Sequence, residues 1–265
     1  MNQEILKVLT YYSHFSYPPR DREIHRYLSI KATLEEVRTA LEDMYAQKSI
    51  AKRHERYAEN ASYFDLYEHR QKHADSLIRE TSWIIHLICR IPTISYAGIS
   101  GSLAMHDAQP DDDVDLMLVV KPYSVWKTRA IVLFILRCLS FLGNRSARKV
   151  CINMIWESHD LKMPAHKQTE YGGHELYQLR TCMNKYLTHE SLMAQNRWAS
   201  RLFPNVHINT SHPKQGESPS QKGSSADGIE QILAWMQKKW LARKGYIVKE
   251  YGAQVWLIQD DWEKK

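Results

Sequence analysis

Apolar positions recur at helical spacing through the first fifty residues. Ile5, Leu6, Val8 and Leu9 predict a helix over 2–13, which Pro18-Pro19 stops. Asp21 caps a second short helix through Leu28. Thr33 and Glu36 form a capping box for a third, running to Gln47 with Val37, Leu41 and Met44 on one face. The pattern then switches period: 49–57, a turn at 59–61 and 62–66 read as a β-hairpin of mixed polarity. A long amphipathic helix follows over 70–90, with Leu77, Ile78, Trp83, Ile84, Leu87 and Ile88 as its stripe. Two apolar runs of strand length, 94–99 and 113–120, flank a polar segment. A mostly apolar helix is expected over 123–141 and a further strand over 150–156. Residues 174–186 and 189–202 read as two helices. The tract 207–228, rich in Ser, Gly, Pro and Lys, reads as a flexible linker. A last helix to Arg243 is expected to bury Ile232, Trp235, Met236 and Trp240. The stretch 246–258 has strand-like content without an obvious partner. The fold class is α+β.

Three short helices followed by a hairpin is the layout of a winged helix-turn-helix. Its basic hairpin residues Lys52, Arg53 and Arg56 are where such a wing meets a nucleic-acid backbone. The third helix, with Glu35, Glu36, Glu42 and Asp43 against one Arg38, is poorly suited to a major groove, so docking of a partner or substrate is the competing use. The divisions that follow are 1–68, winged module; 69–206, central domain with its linker helix and trailing helices; 207–228, linker; 229–265, C-terminal helical segment. The net charge of +6 favours a polyanionic partner. Cys89, Cys138, Cys151 and Cys182 lie far apart, as expected of thiols in a reducing cytoplasm. The thirteen histidines include no helical pair with a Glu general base. The N-terminus lacks a signal-peptide pattern, and the longest apolar run, 130–142, is interrupted by Arg137 and too short for a bilayer. The expectation is a cytoplasmic protein without a membrane partner.

The chemistry concentrates between 93 and 120. On a strand Asp113 and Asp115 point one way while Val114, Leu116 and Leu118 point the other. Two carboxylates one pleat apart at the start of a buried strand are costly unless a cation lies between them. Mg²⁺, which keeps waters and takes one or two carboxylates plus substrate phosphates, is the natural candidate. Gly101 permits close approach of backbone to ligand, and Ser102 opens a short helix whose N–H groups can face a phosphate. A calcium loop does not fit, because Leu116 stands where that loop needs Gly.

Ser100-Gly101-Ser102, a ten-residue spacer, then Asp113-Val114-Asp115-Leu116 resembles the signature of the DNA polymerase beta-like nucleotidyltransferase superfamily. The resemblance covers about a tenth of the chain. Asp112 departs from it, many relatives carrying Ser or Thr there. Trp126 followed by Arg129 also resembles winged-helix members of that group. The resemblance implies a mixed sheet with flanking helices and transfer of a nucleotidyl group from an NTP to a hydroxyl acceptor. Asp113 and Asp115 would hold Mg²⁺ or Mn²⁺, and Ser100, Gly101 and Ser102 would grip phosphates. Arg148 and Lys149 are placed to neutralise a triphosphate. Active relatives bring a third carboxylate on the next strand, where this chain has Asn153, a catalytic candidate that can orient a metal-bound water or ligate through its carbonyl oxygen but brings no charge, with Glu157 and Asp160 beyond it. Two other readings compete: a degenerate module that binds nucleotide or RNA without chemistry, and a winged-helix DNA-binding regulator with a nucleotide-sensing domain.

Overall fold

The computed structural model describes residues 1–206 and 228–258. The chain begins with helices α1 (Asn2–Ser13), α2 (Asp21–Tyr27) and α3 (Leu34–Ala46). The capping box at the start of α3 is formed: the Glu36 N–H donates to Thr33 Oγ1 at 3.2 Å, and the Thr33 N–H donates to Glu36 at 2.7 Å. A two-stranded antiparallel hairpin follows, β1 (Ala51–Arg53) with β2 (Arg56–Ala58), turning at His54 in a left-handed conformation. The expected second strand over 62–66 is instead the start of α4 (Ser62–Cys89). Its apparent alternation is the first turn of a helical stripe that continues through Phe64, Tyr67, Arg70 and Ala74. This one helix runs unbroken across position 68, where a division was expected.

The remainder is a mixed sheet of six strands in the order β6-β3-β4-β5-β8-β7. Its members are β3 (Ile94–Ile99), β4 (Val114–Val120), β5 (Val150–Glu157), β6 (Arg180–Asn184), β7 (Ile247–Tyr251) and β8 (Gln254–Ile258). The β4–β5 pair is parallel and the rest are antiparallel. Between β3 and β4 lies the single-turn α5 (Gly101–Ala104). Between β4 and β5 lies the crossover helix α6 (Val125–Phe141), as a parallel pair requires. The segment expected to be helical over 174–186 divides into α7 (Glu170–Gln178) and the edge strand β6, followed by α8 (Thr188–Gln195) and α9 (Ala199–Leu202). The helix α10 (Gly228–Arg243) leads into β7 and β8, which supply the partner missing for 246–258 by pairing with β5.

Alternation along β4 divides the core in two. Val114, Leu116, Leu118 and Val120 pack beneath α4, α6 and α10. Met117 and Val119 face α7 and α8 on the other side. A third cluster lies within the N-terminal module and includes Phe203 from beyond α9. Arg70 on α4 ties this module to the α5 loop, with Nε 2.6 Å from Asp107 Oδ1 and its other nitrogens on the carbonyls of Phe15 and Ser16. Burial pushes the Asp107 carboxyl up to about 6 against the pull of Arg70. The four cysteines are free thiols. Among the described residues no helix is long and apolar enough to cross a membrane. The linker expected over 207–228 lies outside the described residues except for Gly228, which opens α10.

Candidate active site

Strand pairing joins the two halves of the motif. Ile99 is registered with Leu116, and the Ser100 N–H donates to the Asp115 carbonyl at 2.9 Å. The chain then turns at Gly101 with φ +66°, and a Cβ placed there would meet Asp115 Oδ2 at 3.2 Å. The small residue is therefore required twice, by the left-handed backbone and by the carboxylate beside it. Ser102 donates its hydroxyl to Asp112 Oδ2 at 3.0 Å, and the Gln109 N–H donates to the same oxygen at 2.9 Å. Asp112, where the sequence departs from the signature, thus fastens the spacer to the turn.

Asp113 precedes β4 and is exposed, while Asp115 is half-buried on the face that looks toward α7. Burial, then the charges of Asp113 and Asp112, push the Asp115 carboxyl up to about 6. Asp113 is also raised, by burial first, with Lys149 opposing; Lys149 Nζ lies 3.8 Å from Asp113 Oδ1. No described residue donates a hydrogen bond to the Asp115 side chain. A pair of same-face carboxylates whose charged forms burial disfavours, with one lysine near, suits a single divalent ion that keeps several waters. Among the described residues no three His, Cys, Asp or Glu side chains form a metal-binding cluster. Arg148 stays exposed beside this edge, its Nε donating to Ser140 Oγ at 2.8 Å.

The neighbour of Asp115 on β5 is Cys151. Leu116 and Met117 pair with Ile152 and Met154, so Asn153 is the extra residue of a bulge. Glu157 and Asp160 lie at the opposite end of the sheet. Glu157 pairs with Val120, roughly 20 Å from Val114 at strand rise. Its carboxylate accepts backbone N–H groups of Tyr123 and Ser124, and Asp160 accepts the Ala253 N–H at 2.8 Å. Neither can serve the Asp115 end.

A carboxylate that feels the Asp115 charge lies on α7 instead, at Glu175. The N–H of Gly172 donates to the Thr169 hydroxyl at 3.2 Å, opening the helix. A Cβ on Gly172 would collide with the Lys167 carbonyl, and one on Gly173 would lie 2.7 Å from the Phe203 ring. His174 is stacked between Tyr11 at 4.0 Å and Tyr27 at 3.9 Å. On this helix Tyr171 and Glu175, one turn apart, are hydrogen-bonded to each other and both feel the charge of Asp115. Burial first, then the Asp115 charge, raise the Glu175 carboxyl to about 7, and a hydrogen bond with Tyr171 works in the other direction. Sequence spacing gave no sign of Glu175, because its position depends on how α7 seats against the N-terminal module.

The wing cations are engaged internally. Lys52 pairs with Glu42 at 2.6 Å, and Arg53 with Asp65 at 2.5 Å. Arg56 donates to the Pro18 carbonyl and the Tyr67 hydroxyl at 2.6 Å each and lies over the Tyr67 ring. Trp126 and Arg129 are buried against α10, where Arg129 donates to Gln237 Oε1 at 2.7 Å. No protein-family model matches the chain, and no curated protein or solved structure is significantly similar to it.

Proposed function

We propose that the chain is a nucleotidyltransferase of the DNA polymerase beta-like type, moving a nucleotidyl group from an NTP to a hydroxyl acceptor. The observation that carries this reading is the contact of Gly101 with Asp115, which brings a phosphate-facing turn and a metal-type carboxylate pair to one place. Asp113 and Asp115 would hold Mg²⁺ or Mn²⁺, which would supply neutralisation of phosphate charge and a lowered pKa for the acceptor hydroxyl. Ser100, Gly101 and Ser102 face the β- and γ-phosphates, with Lys149 and Arg148 beside them. The acceptor oxygen forms a bond to the α-phosphorus as the bond to pyrophosphate breaks, and the hydroxyl proton passes to the Glu175 carboxylate. A carboxyl near 7 suits that transfer at neutral pH. The three helices and hairpin of the N-terminal module fit a winged helix, acting here as a scaffold for α7.

Purified protein is expected to incorporate label from an α-³²P-NTP, offered with cell extract as acceptor pool and Mg²⁺ or Mn²⁺. Asp113→Asn and Asp115→Asn abolish incorporation while the fold is retained, and labelling that survives both substitutions overturns the assignment. Glu175→Gln lowers turnover by roughly 10²–10⁴ with little effect on nucleotide binding. The uncharged Asn153 favours a second reading, a degenerate fold that binds Mg·NTP without transfer. Titration calorimetry with a non-hydrolysable NTP that gives normal binding, alongside absent incorporation, supports that alternative.

A further inference from the structure

The helices α6 and α10 form one outer layer, and the layer is chemically one-sided. Segments 124–149 and 228–246 together contain a single acidic residue, Glu230. Glu230 is buried, accepting the N–H groups of Trp126 at 2.6 Å and Lys127 at 3.0 Å, so it caps α6 and offers no charge outward. The stripe expected to point inward on α10 faces solvent: Ile232 is 60% exposed, Trp235 64% and Met236 53%. Glu230, Gln237 and Leu241 hold α10 to the protein from its other side. On α6 the adjoining stripe includes Phe134, and Phe141 at its end is 92% exposed. Cations are interleaved with these rings, Arg137 lying 5.4 Å from the Trp240 centroid and Lys239 5.0 Å from that of Trp235.

This layer ends at the candidate active site. Beyond α6 come Arg145, Arg148 and Lys149, the last 3.8 Å from Asp113. The helix α10 ends at Arg243, and beyond it come Lys244 and then Tyr246, which lies within reach of the charges of Asp113 and Asp115. We propose that the α6–α10 face binds a single-stranded nucleic acid and delivers its end to the Asp113–Asp115 site as the acceptor. This rests on the transferase reading above. Glu250 of β7 meets the face at one point, pairing with Lys238 at 2.6 Å. The helices themselves turn only cations outward, which calls for an anionic occupant, and a second copy would set like charges against each other. Exposed rings between cations are the elements that hold a strand, the cations following the backbone and the rings stacking on unpaired bases. A duplex leaves those rings without partners. The wing cations, already ion-paired, do not compete for this role.

The test is fluorescence anisotropy with a labelled oligo(U) RNA of about 15 nucleotides, without NTP, across a salt series. Wild type is expected to bind with an affinity that falls as salt rises. Trp235→Ala with Trp240→Ala should weaken binding by roughly 5- to 150-fold per stacked ring, the equivalent of about 1–3 kcal/mol. Lys239→Gln, Arg243→Gln and Lys244→Gln together should flatten the slope of log K against log salt by about 2. All five positions are exposed, and unchanged urea midpoints establish that the variants fold. Strand binding that persists in Asp113→Asn and Asp115→Asn supports the surface even if nucleotidyl transfer is never observed. The proposal is overturned by absence of binding at low salt, or by loss on changing Lys52 and Arg53 in place of this face. It is equally overturned by competition from polyglutamate as strong as from RNA, or by a dimer that Trp235→Ala disperses.

Discussion

Replacing Gly101 with alanine isolates the contact on which the site is built. At φ +66° a side chain enters the left-handed region at a cost of roughly 1–2 kcal/mol. The new Cβ would also stand 3.2 Å from Asp115 Oδ2, close enough that the carboxylate must shift by a few tenths of an ångström. Gly143 supplies the internal control: its φ is +88°, and a Cβ there meets nothing within 4 Å. Both substitutions should therefore lower the melting temperature by a similar amount, roughly 2–8 °C for a chain of this size. The difference lies in metal binding. Displacing the Asp115 oxygen is expected to weaken Mn²⁺ binding several-fold in Gly101→Ala, while Gly143→Ala binds as wild type. Thermal unfolding and Mn²⁺ titration by electron paramagnetic resonance give the two numbers. Equal Mn²⁺ affinities in the two variants would refute the placement of Gly101 against a metal-holding carboxylate.

Asp115→Asn removes a charge that burial and two neighbouring aspartates disfavour. The raised carboxyl destabilises the fold fully above pH 6 and not at all below pH 4, so the variant should gain on the order of 2 kcal/mol at pH 8 and nothing near pH 4. Urea midpoints at both pH values check this, and a variant less stable than wild type at pH 8 contradicts it. His174, held neutral by burial down to about pH 3, should make stability intact above pH 6.5 and progressively lost as acid protonates the unfolded chain, by up to about 5 kcal/mol. Replacing it with Phe should flatten that acid limb, as followed by circular dichroism. Asn153→Asp, placed on the bulge two residues beyond Cys151, is expected to leave turnover within several-fold of wild type if Glu175 accepts the proton as proposed. A large gain in labelling rate would return that role to β5.

Periodicity suffices for α1 and α2, and periodicity with capping for α3; the N-cap of α2 is Arg20, while Asp21, expected to cap it, is its first residue and pairs with Arg38 at 2.6 Å. The turn and the carboxylate pair were legible because close approach and same-face spacing are properties of a few consecutive residues. Strand β6 escaped because Arg180–Asn184 is a polar edge strand whose partner, β3, lies about eighty residues earlier. The stripe on α10 was legible as apolar but assigned to the wrong side. Apolar spacing normally marks the buried face, whereas here Glu230 and Gln237 fix the helix by hydrogen bonds to α6. Glu175 depends on three separate parts of the chain, so no local pattern could announce it.

The sandwich of His174 between Tyr11 and Tyr27 also bears on how such a chain can be inherited. The helix that aims Glu175 rests on rings supplied by the first thirty residues. Recombination that exchanged the N-terminal module for another three-helix unit would preserve every residue of the Gly101–Asp115 motif and still unseat Glu175. Descendants of such an exchange would keep the signature while losing the third carboxylate, so in lineages of this architecture Tyr11 and Tyr27 should travel with Glu175.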